Sequence, residues 1–409
     1  MKYVIIVPDG CADESVLALD GSTPLAVAKT PAMNEIARLG VVGTANHAPE
    51  SLAVGSDSAN MSVLGYDPVE YYRGRAPLEA AAQGIRLGPG DWALRCNLVC
   101  VENGIMRDFT AGHISNNEAS QIVESLNAEL PRRCGFDPDA VQFYTGVSYR
   151  NLLVLRGDTR KPLPFTMAFR ATPPHDRMDQ TVLNDYPRGA GSGLVCQLME
   201  TSELILADHP VNVARRAVGQ LPATHIWLWG LGCTPVLRPF RELYGRSGAM
   251  ITAVDLLRGI AELIGWDRIE VPGATGFLDT NYAGKGRAAI EAIRTHDVVC
   301  IHVEAPDETS HQGDLAGKIA SLERIDAQIV APVFDSLRRE YPDGWRILVQ
   351  PDHLTPLRTK THAHGDIPFT MCGTGIAPDN AVAYHEAAAA RSTLRFPGGW
   401  RLIRQFLDG

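Results

Sequence analysis

The chain has 409 residues, of which 45% are hydrophobic and 21% are charged, which is typical of a folded protein with more than one domain. Its formal net charge of −9 argues against a nucleic-acid backbone as the main partner, while a small anion can still bind in a locally basic pocket. The eight cysteines are scattered and form no CxxC pair, so reduced thiols are expected rather than a zinc site or a disulfide framework.

The chain begins with an apolar run, residues 3–7, which predicts a short buried parallel strand that ends at Pro8, Asp9 and Gly10. The run is too short for the apolar segment of a signal peptide, and no stretch reaches the roughly 20 apolar residues of a membrane span. We therefore expect a cytoplasmic protein that makes no membrane contact.

Strands and helices alternate over most of the remaining chain. Apolar runs of strand length stand at residues 226–229, 298–303 and 346–350, and amphipathic helical patterns stand at residues 31–39, 252–264 and 318–338. This alternation predicts an α/β fold with a mostly parallel sheet flanked by helices.

Residues 87–220 show a different pattern, with short strands, two polar helices and many Pro and Gly breaks. None of the candidate metal ligands described below lies in this stretch. We expect it to be an inserted smaller α+β domain, which leaves residues 1–86 and 221–409 as a catalytic domain.

Carboxylates and imidazoles directly follow three of the predicted strands. They are Asp9, Asp307, His311, Asp352 and His353. Active-site residues of open α/β sheets lie just beyond the carboxyl ends of the strands, so these side chains are expected to meet. Mixed Asp and His ligands suit Mn²⁺, Zn²⁺, Co²⁺ or Mg²⁺ better than a metal that prefers thiolates. Two such ions can clamp the attacking and leaving oxygens of a phosphoryl transfer.

His362 and His364 are alternative further ligands in the loop after Asp352 and His353. Asp307 is four residues before His311, so the two side chains share one face of a helical turn. Each motif alone is more often structural, as a helix-start pair, a strand-end turn or a surface histidine. Their occurrence together favours the metal interpretation.

Two further residues have the chemistry that such a centre needs. A helix is predicted over residues 58–64 with Ser56 or Ser58 at its start, where free N–H groups favour a phosphate or an alkoxide. A metal bound to the serine oxygen would make it a nucleophile, and a plain helix cap is the alternative. Lys285 follows a Gly/Thr-rich turn and is a candidate to contact a phosphoryl oxygen, with a solvated lysine as the alternative.

The predicted insert also carries polar side chains in loop-like settings. Each of them alone is more often structural than functional. As a set they are candidates for holding the non-reacting part of a substrate: His113, Arg150, Arg170, His175 and Asp176.

Seven ordered blocks of the sequence resemble the archaeal-type cofactor-independent phosphoglycerate mutases of the alkaline phosphatase superfamily. The blocks are residues 6–10, 55–68, 72–80, 271–285, 304–311, 351–353 and 362–369. The resemblance covers nearly the whole chain and implies an alkaline-phosphatase-like α/β fold.

The resemblance implies two divalent metal ions. One is held by Asp307, His311 and His362, and the other by Asp9, Ser56, Asp352 and His353. Ser56 is the implied nucleophile, although Asp57 stands where the family has Glu, and Ser58 is its rival because residues 57–59 resemble the nucleophile motif of alkaline phosphatases. Lys285 matches a lysine near the reacting phosphoryl group. Mn²⁺ is the metal expected, with Mg²⁺, Co²⁺ and Zn²⁺ as alternatives.

The implied reaction interconverts 3-phosphoglycerate and 2-phosphoglycerate through a phosphoserine, without 2,3-bisphosphoglycerate, as in glycolysis and gluconeogenesis. The insert would be a lid that holds glycerate and excludes water. Residues 108–113, 149–153 and 209–212 instead resemble a bacterial branch proposed as homoserine kinases of threonine biosynthesis, which would use homoserine and ATP. A metal-dependent phosphatase is a third alternative. The oligomeric state stays open, a homo-oligomer included.

Overall fold

The computed structural model describes residues 1–158, 160 and 162–409. The chain forms two compact units: unit 1 comprises Met1–Tyr72 and Val236–Gly409, and unit 2 comprises Arg73–Pro235. Unit 2 therefore extends beyond both ends of the insert predicted over residues 87–220. Among the described residues, every helix is too short or too polar to cross a membrane.

The strands are numbered along the chain. They are β1 (Lys2–Pro8), β2 (Val41–Ala45), β3 (Trp92–Glu102), β4 (Ile105–Asp108), β5 (Val141–Val147), β6 (Arg150–Leu155), β7 (His225–Gly232), β8 (Gly248–Ile251), β9 (Asp267–Arg268), β10 (Val298–Val303), β11 (Trp345–Val349), β12 (Ile367–Gly373) and β13 (Arg395–Phe396).

The α-helices are numbered in the same way. They are α1 (Pro24–Val27), α2 (Pro31–Leu39), α3 (Ser56–Val63), α4 (Pro68–Tyr71), α5 (Ala76–Ala82), α6 (Asn116–Arg133), α7 (Ser192–Leu206), α8 (Pro210–Ala217), α9 (Phe240–Tyr244), α10 (Asp255–Ile264), α11 (Tyr282–Thr295), α12 (Ala305–Gln312), α13 (Leu315–Ile325), α14 (Ala331–Glu340), α15 (Glu386–Arg391) and α16 (Leu402–Asp408). A π-helical turn, Asp326–Val330, joins α13 to α14, and short 3₁₀ helices stand at Leu17–Leu19, Pro174–Arg177 and Gly399–Arg401.

Unit 1 is built on a sheet of order β13-β2-β12-β11-β1-β10-β8-β9. β1 pairs in parallel with both β10 and β11, and the run continues in parallel through β8 and β9. Only β12 runs against its neighbours β11 and β2. β10 is buried along its whole length, as expected for a strand covered on both faces. The predicted α/β fold with a mostly parallel sheet is confirmed.

Unit 2 is built on a separate antiparallel sheet of order β4-β3-β6-β5, with β7 paired to β3. Its own apolar core includes Leu98, Leu126, Trp227 and Trp229. The predicted strand at residues 226–229 is therefore real but does not belong to the parallel sheet of the catalytic domain. An apolar run looks the same in a parallel and in a well-covered antiparallel strand, so the sequence pattern could not separate them.

The chain enters and leaves unit 2 at neighbouring points. The backbone N–H of Cys233 donates to the carbonyl oxygen of Arg73 at 3.0 Å, and a β-carbon on Gly74 would overlap the backbone of Leu231. The first and last segments of unit 2 thus lie side by side.

Candidate metal centre and nucleophile

Three neighbouring strands of unit 1 bring the candidate ligands to one edge of the sheet. Pro8 at the end of β1 is in register with Val303 at the end of β10, and Ile6 is in register with Val349 at the end of β11. Asp9 directly follows β1. The start of α12 after β10 and Asp352 after β11 therefore lie at the same edge of the sheet as Asp9. Parallel pairing explains why residues about 300 positions apart in sequence meet here.

The first group of candidate ligands is Asp307, His311 and His362. In α12 the carboxylate of Asp307 lies 3.1 Å (Oδ2) from Nε2 of His311, as the spacing of four residues predicted. The loop after β11 brings Nε2 of His362 to 3.5 Å from Oδ1 of Asp307 and 3.1 Å from Nε2 of His311. Two ring nitrogens thus face each other and the same carboxylate, an arrangement that one cation would satisfy.

The second group is Asp9, Asp352 and His353, all of which are buried. Nε2 of His353 lies 3.5 Å from Oδ1 of Asp9 and 3.4 Å from Oδ2 of Asp352. The hydroxyl oxygen of Ser56 lies 3.2 Å from the same ring nitrogen. The sets Asp307, His353, His362 and Asp9, Asp352, His353 each place one ligand atom per residue within 4.8 Å of the others.

Hydrogen bonds on the far side of the rings decide which nitrogen faces each group. Nδ1 of His311 lies 2.9 Å from the carbonyl oxygen of Lys360, and Nδ1 of His362 lies 3.3 Å from that of Val54. A carbonyl oxygen only accepts, so both Nδ1 atoms carry hydrogen and both Nε2 atoms face the carboxylate of Asp307, where a bound metal ion would replace any proton on them. Histidines that bind metals are commonly oriented in this way.

The electrostatics of the centre fit a bound cation. Burial raises the pKa of Asp9 well above its ordinary value, and the charges of Asp352 and Asp307 raise it further. Burial alone would also raise the pKa of Asp307, but its hydrogen bonds to His311 and His362 hold it well below the ordinary value. The bond to Asp307 in turn raises the pKa of His311 to about 9. Within the described chain, buried Oδ1 of Asp9 accepts no hydrogen bond, although a carboxylate oxygen in such a place needs a partner. The donor set and this orphaned oxygen fit divalent metal ions.

Ser56 is the first residue of α3 and is nearly buried. Its neighbour Ser58 has its hydroxyl turned to the carbonyl oxygen of Gly55 at 3.3 Å. Asp57 accepts the backbone N–H of Ser58 at 2.8 Å and the hydroxyl of Tyr72 at 2.7 Å. Of the two candidate nucleophiles, Ser56 is therefore the one whose hydroxyl contacts the ligand group.

Lys285 lies in α11 and is 1% exposed. Its Nζ donates to the carbonyl oxygen of His302 at 2.9 Å, and burial lowers its pKa to about 8, while the charge of Glu304 opposes the shift. Lys285 is thus a buried cation of α11 that is bonded to the backbone of β10, and it is not a solvated helix-start residue.

Four residues of the centre were missed by the sequence analysis, and one of them is Glu304, which forms a third set of possible metal ligands with Asp9 and His302. Nε2 of His302 lies 2.7 Å from Oδ2 of Asp9, Asn60 donates to Oδ2 of Asp352 at 2.7 Å, and Thr355 donates to Oδ1 of Asp307 at 2.6 Å. A histidine within the apolar run of residues 298–303 was a signal. Asn60 stands four residues after Ser56, so it shares the serine's helix face. Thr355 gave no signal beyond its nearness to His353.

His364, the alternative to His362, is directed elsewhere. Its Nδ1 lies 3.1 Å from the carbonyl oxygen of Ala48, whereas both nitrogens of the His362 ring lie against Val54 and the group of Asp307 and His311.

In unit 2, two of the five substrate candidates gather around a residue that the sequence analysis missed. Arg95 in β3 is buried, stacks 4.1 Å from the ring centre of Trp229 and pairs with Glu79 at 3.0 Å. The ring of His175 packs 5.4 Å from that of Trp229. Burial lowers the pKa of His175, and the positive charge of Arg95 lowers it further despite the opposing charge of Asp176. Burial lowers the pKa of Arg95 to about 10, the charge of Glu79 opposes this shift, and the charge of Arg150 adds a smaller lowering.

The remaining candidates of unit 2 have separate surroundings. Arg170 donates to the carbonyl oxygens of Met167 and Phe169, and no contact among the described residues joins it to Arg95. His113 has a left-handed backbone with φ of 52°, and its N–H donates to the hydroxyl of Thr110 at 2.9 Å. Asp176 is 3.7 Å from His175.

An acid- and imidazole-rich edge of a mostly parallel sheet, with a serine at a helix start, defines a metal-dependent enzyme of phosphoryl transfer. The profile of the family "2,3-bisphosphoglycerate-independent phosphoglycerate mutase" matches residues 37–212. A relative of that name from Methanothrix thermoacetophila is 44% identical over all of both chains. One from Methanosarcina acetivorans is 45% identical over 96% of each chain. The chain belongs to the family of 2,3-bisphosphoglycerate-independent phosphoglycerate mutases, as its sequence blocks predicted.

One solved structure agrees with this assignment, and a second shows the same fold. A cofactor-independent phosphoglycerate mutase from Thermoplasma acidophilum is 25% identical, with a TM-score of 0.67 over all of this chain and 99% of that one. A protein from Pyrococcus horikoshii shares the fold with a TM-score of 0.81 at 24% identity, over all of this chain and 96% of that one.

Proposed function

We infer that this protein interconverts 3-phosphoglycerate and 2-phosphoglycerate without 2,3-bisphosphoglycerate, by passing the phosphoryl group through Ser56. The observation that carries this inference is the 3.2 Å approach of the Ser56 hydroxyl to His353 inside the group of buried acids and imidazoles. Full-length identity of 44% to a relative named for this reaction supports it. Such a role in central metabolism would place the protein in the cytoplasm.

We propose that Asp307, His311 and His362 hold one divalent ion and that Asp9, Ser56, Asp352 and His353 hold the other, with Mn²⁺ as the metal. When bound, the ions would lower the pKa of the serine hydroxyl and neutralise charge on the transferring phosphoryl group. The chain's own residues prepare this: Asn60 and the backbone N–H of Gly10 hold the Asp352 carboxylate, and His302 holds that of Asp9.

Two transfers complete the proposed reaction. In the first, the oxygen of Ser56 forms a bond to phosphorus while the bond from phosphorus to the 3-oxygen of glycerate breaks; Ser56 loses a proton and the glycerate oxygen gains one. In the second, the 2-oxygen of the retained glycerate forms a bond to phosphorus while the bond from phosphorus to the oxygen of Ser56 breaks; the 2-hydroxyl loses a proton and Ser56 gains one. We assign to Lys285 the stabilisation of phosphoryl charge, because a buried ammonium near the centre is a strong point charge.

We assign to unit 2, the predicted lid, the recognition of the non-reacting part of the substrate. Arg95 and His175 both pack against Trp229, and the charge of Arg150 acts on Arg95. The two guanidinium groups are suited to a carboxylate. His113, Arg170 and Asp176 stay candidates whose surroundings give less support.

The test is phosphorus NMR of the Mn²⁺-treated protein, after removal of free metal, with 3-phosphoglycerate as the only substrate. A 2-phosphoglycerate signal is expected without added nucleotide, and it should disappear after chelator treatment. Inorganic phosphate as the main product would instead indicate a phosphatase. O-phosphohomoserine that forms only after ATP and homoserine are added would assign the protein to the kinase branch.

A further inference from the structure

One hydroxyl group connects the two halves of the metal centre. The Oγ1 atom of Thr355 donates to Oδ1 of Asp307 at 2.6 Å and lies 3.1 Å from Nδ1 of His353. Asp307 belongs to the first ligand group and His353 to the second. Thr355 is 0% exposed and both partners are buried, so water does not compete for these bonds.

The direction of the two hydrogen bonds follows from the donors present. The hydroxyl hydrogen of Thr355 goes to the carboxylate of Asp307, so the oxygen lone pairs remain for the ring of His353. Nδ1 of His353 must then carry the hydrogen, and its Nε2 presents a lone pair to Asp9, Asp352 and Ser56. The same hydroxyl thereby fixes the orientation of a carboxylate on one side and the tautomer of an imidazole on the other.

The backbone of Thr355 is held as firmly as its side chain. Its N–H donates to the carbonyl oxygen of Ala12 at 3.2 Å, and its carbonyl oxygen accepts from Nζ of Lys318 at 3.0 Å. Lys318 pairs with Asp13 at 2.7 Å, and both side chains are at most 1% exposed. A buried ion pair of this kind costs desolvation, and here it anchors the turn that carries Asp352, His353 and Thr355.

We propose that Thr355 is a positioning residue shared by both metal subsites, so that its hydroxyl is required for tight binding of both ions. This inference rests on the proposed metal centre. Partners that orient metal ligands typically change metal affinity by about 10- to 100-fold when they are removed.

The test is a calorimetric titration of the metal-free protein with Mn²⁺. Thr355→Val keeps the shape of the side chain and removes the hydroxyl, so we expect both ions to bind about 10- to 100-fold more weakly. Thr355→Ser restores the hydroxyl and should bind both ions nearly as the wild type does. Thr370→Val is the matched control, because the hydroxyl of Thr370 is buried and donates to the carbonyl oxygen of Val41 in the same sheet.

Two results would overturn the proposal: Thr355→Val binding both ions with wild-type affinity, or losing affinity for one ion only. If this variant fails to fold, nitrogen-15 NMR of the histidine rings in the zinc-loaded wild type decides instead, with the His353 signals assigned through His353→Asn. Hydrogen on Nδ1 of His353 is expected. Hydrogen on Nε2 would contradict the proposed role.

Failure of the inference is distinguishable from failure of the proposed function, because the titration contains no substrate. Normal metal binding in Thr355→Val together with a wild type that makes 2-phosphoglycerate would reject only the role of Thr355. Weakened binding in Thr355→Val together with a wild type that makes no 2-phosphoglycerate would reject only the mutase reaction.

Discussion

The proposed mechanism depends on the hydroxyl of Ser56 as the nucleophile. Ser56 is the first residue of α3. Ser58, two residues later, is more deeply buried but bonds within its own turn. The proposed roles of these two serines can therefore be separated by removing one hydroxyl at a time.

We expect Ser56→Ala to lower kcat by more than about 1000-fold, because no phosphoserine can form. The melting temperature should stay close to that of the wild type. Ser58→Ala should keep activity within about tenfold, since it loses only a hydrogen bond in the turn. Steady-state kinetics with 3-phosphoglycerate check both variants. Loss of activity in Ser58→Ala with retention in Ser56→Ala would reverse the assignment.

Lys285 gives the stability of the metal-free protein a specific pH dependence. Its pKa is about 8 in the folded protein against an ordinary 10.5, so between these values the unfolded chain binds more protons than the folded one. The contribution of Lys285 to the free energy of unfolding therefore rises with pH across this window, by on the order of 1.4 kcal/mol per unit of pKa difference. Below pH 8 Lys285 is protonated in both the folded and the unfolded chain, so burial of its charge destabilises the folded protein by the full amount.

Lys285→Met removes this contribution. Relative to the variant, the wild type should therefore gain stability as the pH rises from about 7.5 to about 10. Urea unfolding of both proteins at the two pH values measures the difference, and other groups such as His311 cancel because they titrate in both. The exposed Lys29 offers the control Lys29→Met. A constant difference between the wild type and Lys285→Met would contradict the shift.

Residues at strand ends could be predicted from the sequence, because a buried parallel strand followed by Asp or His is a local pattern. Asp9, Asp307 and Asp352 belong to this group. His302 lies within a strand, and Thr355 acts through residues from two different segments, so no local pattern marks their partners. Arg95 was missed although a charged residue within an apolar strand is unusual. Its contacts with Trp229 and Glu79, which offset the burial of its charge, are visible only in the structure.

At the scale of elements, the turn after β1 is closely packed against the other segments of the centre. Gly10 has a φ of +58°, and its N–H donates to Oδ1 of Asp352 at 3.1 Å. A β-carbon at this position would overlap the side chains of Asp307 and Thr355. The glycine is thus required by both the backbone conformation and the approach of two other segments.

We expect Gly10→Ala to destabilise the protein and to weaken Mn²⁺ binding. The left-handed conformation alone costs roughly 1–2 kcal/mol for a residue with a β-carbon, and displacement of Asp307 adds to that cost. Gly21→Ala is the matched control, since Gly21 has a φ of +80° in unit 1 but no atom within 4 Å of the added carbon. Urea unfolding and metal titration measure both effects. Equal losses in the two variants, with unchanged metal affinity, would contradict the expected overlap.

Helix bounds show how far periodicity alone can reach. One helix was predicted over residues 318–338, whereas the structure has α13, a π-helical turn over Asp326–Val330 and then α14. The turn carries Asp326, whose carboxylate accepts the backbone N–H groups of Ala32 and Met33 at the start of α2. The spacing of apolar residues predicts which face of a helix is buried. It does not reveal a π-helical turn, such as the one that places Asp326 against the start of α2.

At the scale of the whole molecule, the two units have separate apolar cores. One core lies among residues of unit 2 such as Leu98 and Leu126, and the other among residues of unit 1 such as Val4 and Ile301. β7, which the sequence analysis gave to the catalytic domain, completes the sheet of unit 2 and supplies Trp227 and Trp229 to its core. The insert predicted over residues 87–220 is narrower than unit 2, because an apolar run does not indicate which strand it pairs with.

We expect a fragment of residues 73–235 to fold alone, because it contains a complete sheet and core. The fragment of residues 87–220 is the control: it lacks β7 and α5, leaves an edge of β3 unpaired and should be unfolded or aggregated. Circular dichroism and amide NMR spectra distinguish the two outcomes. A disordered spectrum for residues 73–235, or a folded one for residues 87–220, would contradict the division of the chain.

The paired backbone of Arg73 and Cys233 has a consequence for how such proteins diverge. A segment whose two ends are neighbours can be lengthened, shortened or exchanged without changing the register of the strands on which the parent sheet depends. The phosphoryl-transfer chemistry of unit 1 and the substrate specificity proposed for unit 2 can then change independently in evolution. Exchange of residues 73–235 between family members should accordingly transfer specificity, while the phosphoryl-transfer step is retained from the host.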